Sequence, residues 1–223
     1  MSRAIYYKEW IKTRVCYGIT LLLGALAVVW TVLRIARVVR MRGVEHLWEI
    51  LLSRDVVFIE TLQYLPLAAG VVMAVVQFVP EMSQKRLKLT LHLPCRWQGT
   101  VLRMLAFGAA LLLSVFVVQL AALWIYLGGI LAPELVGRIL LTGAPWFLCG
   151  LAAYFMTAWI CLEPTWRRRI ADLLITVGTV SVFFGAPAPQ AYDGFLPWMA
   201  LAVVVMLFFP LVSVWRFRAG KQD

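Results

Sequence analysis

The nearest approach to a metal-ligand pair in this 223-residue chain is His92 with Cys95, three positions apart around Pro94. Two donors fall well short of the four that a structural zinc site uses, so the expected reading is a surface histidine beside a free thiol, with no metal. His46 is the other histidine and no H-E-x-x-H occurs, so metal-assisted hydrolysis lacks ligands. The chain also lacks G-x-x-x-x-G-K-[ST], a kinase motif set and a G-x-S-x-G elbow, which leaves no recognised route for cradling or cleaving a nucleotide. No catalytic residue is assigned. The polar groups that stand out lie inside long apolar stretches: Glu60, Gln63, Gln77, Gln119 and Asp172. An ionisable or amide group in hydrocarbon costs several kcal/mol unless it finds a partner or water, so such groups start as functional candidates. Glu60 and Gln63 share a helical face at i and i+3 and suit an outer vestibule, and Gln77 joins them as a pathway candidate. A Glu60 that sits at the interface and reaches water is the plainer alternative.

The elements that must position these residues follow from composition. Hydrophobic residues make up 63% of the chain and charged residues 14%, against roughly half and a quarter in an ordinary soluble domain. The +10 charge is carried by 21 Lys and Arg in short clusters between long uncharged stretches, a membrane pattern and not a nucleic-acid face. Six gaps in the charge map, each of at least 19 residues, are long enough to cross a core of roughly 30 Å at about 1.5 Å per residue. The expected fold is therefore an all-α integral membrane domain, a multi-pass protein of the cell (inner) membrane, with spans at about 15–39, 58–80, 104–131, 139–162, 171–189 and 195–215. Alternation in ten-residue blocks is lacking, which excludes a β-barrel. The break between the last two spans, APAPQAYDGFLP, is short but rich in proline and reads as a turn.

Orientation follows from the cations. With the N-terminus inside, fifteen Lys and Arg lie on the cytoplasmic side and six outside, so both termini and the 81–103 and 163–169 segments are expected to be cytoplasmic. The five arginines between Arg34 and Arg54 run against this rule, partly offset by Glu45, Glu49 and Asp55. No cleavable signal peptide is evident, so the first span is expected to be retained. The four cysteines fall in or at the inner ends of spans and are expected to be free thiols.

Three segments between spans carry pattern. Residues 1–14 place Ile5, Tyr6, Trp10 and Thr13 on one helical face with Arg3, Lys8, Glu9 and Lys12 over much of the rest, which describes either an interfacial helix along the inner surface or a plain cytoplasmic anchor. Arg34, Arg37 and Arg40 line a helix expected to end near Gly43, and residues 44–55 repeat apolar positions at helical spacing, a second surface helix. Residues 81–103 hold a basic, leucine-rich stretch expected to be a short helix broken at Pro94. From composition alone its surface suits lipid headgroups.

At this last segment the chain resembles the type 2 permeases of ATP-binding cassette (ABC) exporters. The elbow of that family matches Tyr7, Lys8, Glu9 and Trp10. Its loop between spans 2 and 3 matches Glu81, the run Leu87 to Leu93, Pro94 thirteen residues after the glutamate, and then Arg96 and Arg103. The match covers the layout of the whole chain but only about 35 residues of motif, and Lys85 and Arg86 stand where the family commonly has a Gly-Thr pair. The resemblance implies six spans, an N-terminal elbow helix, and a coupling element in which Glu81, Lys85, Arg86, Leu87, Leu91, Pro94 and Arg96 dock on a separate ATPase subunit. It implies a second permease subunit as partner, ATP and Mg bound on the ATPase and no cofactor in this chain, with lipids around it and no nucleic acid. Two other readings stand beside it: an accessory subunit anchoring a larger complex, and an integral membrane enzyme acting on lipid or quinone, for which carboxylates and histidines are too scattered.

Overall fold

The computed structural model describes residues 2–53, 58–84, 86–91, 96–186 and 188–220; at residue 2, within residues 44–53 and at 90 and 91 only the backbone is described. The chain is all helical among these residues: α1 (Ser2–Ser53), α2 (Leu65–Ser83), α3 (Arg86–Leu91), α4 (Trp97–Gly128), α5 (Pro133–Leu162), α6 (Trp166–Val182), α7 (Leu196–Met206) and α8 (Phe209–Arg218), with 3-10 turns at Glu60–Leu62 and Asp193–Phe195. Five helical stretches are long and apolar enough to cross a membrane: Arg3–Gly43, Glu60–Ser83, Trp97–Gly128, Pro133–Leu162 and Asp193–Arg218.

One expectation changes, and one expected span stands apart from the others. No separate elbow helix precedes the first span, because α1 keeps helical geometry from Ser2 until Gly43, where φ 80 and ψ 169 break it. Nothing between Lys12 and Cys16 lacks an N–H or favours a turn, so the basic, aromatic segment continues the axis of the span and does not lie across it. The 41 residues from Arg3 to Gly43 reach about 60 Å, twice the hydrocarbon thickness, so both ends overhang. The fifth expected span, 171–189, is occupied by α6, whose 17 residues include Arg167, Arg168, Arg169 and Asp172. Its apolar part is too short to count among the five.

Prolines set the remaining boundaries. Pro66, Pro133 and Pro210 each sit in the first turn of their helices, where the missing N–H costs nothing. Pro210 also separates α7 from α8: its ring excludes a regular bond back to Met206, and Leu207 and Phe208 instead close i to i−3 bonds onto Val204 and Val205. Pro145 is inside α5 and leaves the Leu141 carbonyl without its helical donor.

α5 is the central post, packed by α2, α4, α6, α7 and α8. Its contact with α2 is the closest in the bundle. A Cβ on Gly70 would overlap the Gly150 carbonyl, and one on Gly150 would meet the Pro66 carbonyl and the Phe116 ring. In lipid there is little hydrophobic force between helices, so close backbone approach through small residues is what holds them. Gly70 and Ala74, a spacing that also suits contact between subunits, are thus buried within this chain. One apolar core surrounds Met73, Phe78, Leu105, Leu112 and Tyr154, and a second joins Ile35, Leu62, Leu123, Leu127 and Ile139 at the other end.

Candidate functional site

Three polar sites interrupt this apolar bundle. The largest ties the N-terminal overhang of α1 to the last turn of α2. Glu81 is fully buried, and its Oε1 takes Lys8 Nζ at 2.9 Å and Lys12 Nζ at 2.8 Å. Lys12 also reaches Glu9 Oε1 at 2.8 Å. Gln77, one turn before Glu81, donates to Glu9 Oε2 at 2.9 Å and to the Met104 carbonyl at 2.8 Å, and accepts from the Tyr154 hydroxyl at 2.7 Å. Four helices, α1, α2, α4 and α5, therefore share one network. Its two lysines and two glutamates cancel, which is the condition for leaving such groups in a poorly solvated place. Gly108 makes room for it, since a Cβ there would strike the Tyr154 hydroxyl and the Gln77 amide.

Beside this network, α3 leaves α2 and begins the segment expected to couple to a partner. Leu87 is 1% exposed and packs into the chain's own core, so it is not presented as a docking residue. Leu89 is 72% exposed, and Arg86 and Lys88 are exposed with it. Lys88 Nζ lies 5.7 Å from the Phe217 ring centroid, and the Arg218 guanidinium lies 5.3 Å from the Trp97 ring, which knits α3, the start of α4 and the end of α8 into one basic surface. Arg96 is exposed at the N-cap of α4. Lys85 and Pro94 lie outside the described residues, as do His92 and Cys95, and of Leu91 only the helical backbone is described.

The second site closes the same end of the bundle. Glu163, at the end of α5, is fully buried and takes both Arg216 amino groups, at 3.1 Å on Oε2 and 3.0 Å on Oε1. Ser213 donates to Oε2 at 2.6 Å and Thr165 to Oε1 at 2.9 Å. Arg169 Nε donates to the Glu163 backbone carbonyl at 2.7 Å. This bidentate carboxylate–guanidinium pair with its further donors pins α5, α6 and α8 together, and leaves the buried Arg216 Nε without a partner. Cys16, Cys149 and Cys161 are free thiols.

The third site lies at the far end of the bundle, a cavity of about 330 Å³ between the 3-10 turn at Glu60, α5 and the loop after α6. Glu60, which is exposed, and Gln63 both line it. Gln77 does not; it is enclosed in the ionic network and every part of its amide is used. Gln119, within the apolar α4, is buried against Gly24, and neither its amide oxygen nor its nitrogen has a hydrogen-bond partner.

Sequence reasoning missed the joining of Lys8, Glu9 and Lys12 to Glu81, and the Glu163–Arg216 pair. The available signal was that each charge stands at the margin of an apolar helix, where burial demands an opposite partner. Compared with known protein families, with curated proteins and with solved structures, the chain matches none.

Proposed function

We propose that this chain is the membrane-spanning permease subunit of an ABC exporter, working with a separate ATPase and a second permease subunit in the cell membrane. The observation that supports it best is the linkage of the α1 overhang to the loop after α2. Lys8 of the elbow motif pairs with Glu81, the first residue of the loop motif, and Glu9 is joined to it through Lys12. A short basic helix, α3, follows directly and offers Leu89, Arg86 and Lys88 outward. A push on α3 is thus delivered to α2 and, through Glu81, to the whole length of α1. An exposed leucine ringed by cations suits an apolar groove with acidic margins on the partner.

In this reading α6 makes the fifth of six crossings, extended by Phe183 and Phe184, and the cation-rich end with both termini faces the cytoplasm under the fifteen-to-six distribution of Lys and Arg. ATP and Mg bind the partner, and this chain supplies the path and the coupling surface. The test is purification from its native membrane in a mild detergent with identification of co-purifying proteins. A stoichiometric ATP-binding protein whose hydrolysis depends on this chain supports the proposal; a pure chain with no such partner, active or not in other assays, rejects it.

A further inference from the structure

The cavity at the far end of the bundle has a lining of unusual chemistry for so basic a protein. Among the described residues around it Glu60 is the one charged group, while Gln63 and Gln190 supply amides and Trp146, Phe184 and Tyr192 supply rings. No described Lys or Arg lines it, so among these residues an anionic ligand meets no countercharge.

The rings are held in place. Phe184 stacks on Tyr64 with centroids 5.2 Å apart and planes 29° apart. The Tyr192 hydroxyl donates to the Val182 carbonyl at 2.7 Å and accepts from the Ala186 N–H at 3.0 Å, which fixes its ring across the loop it closes. Gln190 takes φ 59, the left-handed region that a residue with a side chain rarely adopts, and its N–H donates to Thr142 Oγ1 at 3.2 Å. Backbone held in this region is strained and concentrates where a site needs a particular shape. The opposite wall is α5, where Leu141 and Pro145 line the cavity and the proline leaves the Leu141 carbonyl without its helical donor. Among the described residues the lining offers ring faces and one carboxylate with no cation beside it, which attract positive charge, and aromatic faces favour the diffuse charge of an alkylated ammonium.

We propose that this cavity binds an organic cation of the alkylammonium class, as a free solute or as the headgroup of a lipid. The site stands on its own geometry and does not require the exporter reading. The test is equilibrium dialysis of radiolabelled choline against the purified chain in nanodiscs of phosphatidylglycerol, with 3,3-dimethylbutan-1-ol, its uncharged equivalent in shape, as competitor. Choline is expected to bind saturably and the neutral alcohol to compete at least tenfold more weakly. Glu60→Gln is expected to weaken choline roughly tenfold, and Glu134→Gln, an exposed carboxylate in the first turn of α5 outside the cavity, to leave it unchanged. Repeating the titration in phosphatidylcholine nanodiscs separates the sources: loss of choline binding there identifies the lipid headgroup as occupant, and unchanged binding identifies a free solute. No saturable binding in phosphatidylglycerol, equal competition by the neutral alcohol, or equal losses in the two glutamine variants would overturn the assignment.

Discussion

Removing Glu81 tests the ionic network most sharply. In Glu81→Ala two lysines lose their shared acceptor. Lys8, with 35% of its side chain exposed, can turn to water, whereas Lys12, at 10%, stays buried and keeps Glu9 as its one counter-charge, with the Gln77 carbonyl as a neutral acceptor at 3.3 Å. Breaking a fully buried pair costs about 3 to 5 kcal/mol; the freedom of Lys8 and the remaining Glu9 contact bring the expected loss to about 2 to 3 kcal/mol. At about 2 to 4 °C per kcal/mol for a chain of this size, the unfolding midpoint should fall by about 4 to 12 °C. Adding Glu9→Ala strands Lys12 and should cost more than the sum of the two single changes by about 1 to 2 kcal/mol. Replacing all three as Glu9→Gln, Lys12→Met and Glu81→Gln removes the buried charges together and should recover most of the stability. The assay is tryptophan fluorescence on heating in one fixed detergent. A Glu81→Ala midpoint equal to that of the unmodified chain, or a triple variant less stable than the double, would refute the reasoning.

Other expectations follow from the same geometry. Gly70→Val should lose about 1 to 3 kcal/mol because its side chain runs into the Gly150 carbonyl, whereas Gly18→Val, with nothing within 4 Å of its Cβ position, should be within about 0.5 kcal/mol; thermal unfolding of both variants compares them. Arg216→Met leaves Glu163 buried and unpaired and should cost about 3 to 5 kcal/mol, while Arg216→Met with Glu163→Gln should recover a large part of it, read by the same melts. A thiol introduced at the exposed Ser83 should resist an impermeant maleimide in intact cells and react after the membrane is opened; labelling in intact cells would reverse the proposed orientation.

The long apolar helices were legible because a membrane span announces itself twice, by an uncharged stretch of nineteen or more residues and by the cations that end it. Gly43 was legible for a similar reason, as a residue suited to positive φ placed where the arginine row ends. The unbroken passage of α1 through residues 14 and 15 was not, since amphipathic and spanning segments join without any residue that marks or forbids a bend. Gln77 reads the same in sequence whether it faces a pathway or a partner, and only the arrival of Glu9, Met104 and Tyr154 from three other helices decides the matter. Leu87 and Leu89 are likewise indistinguishable as letters in LKLTLHL, yet the direction in which α3 leaves α2 buries the first and exposes the second. The pairing of Glu81 with lysines some seventy positions away depends on helix register across the bundle, which no local pattern encodes.

Leu89 provides the most direct measurement of the central claim, because among the described side chains of α3 it is the large apolar one turned outward, and a coupling surface must use it. A photo-crosslinking amino acid at position 89, irradiated in cells, should yield an adduct between this chain and an ATP-binding protein. Leu89→Asp should abolish the association without lowering the unfolding midpoint, while Leu87→Asp should lower the midpoint itself. An irradiated chain that joins only lipid, or a Leu89→Asp variant that retains a full complement of ATPase, would contradict the account.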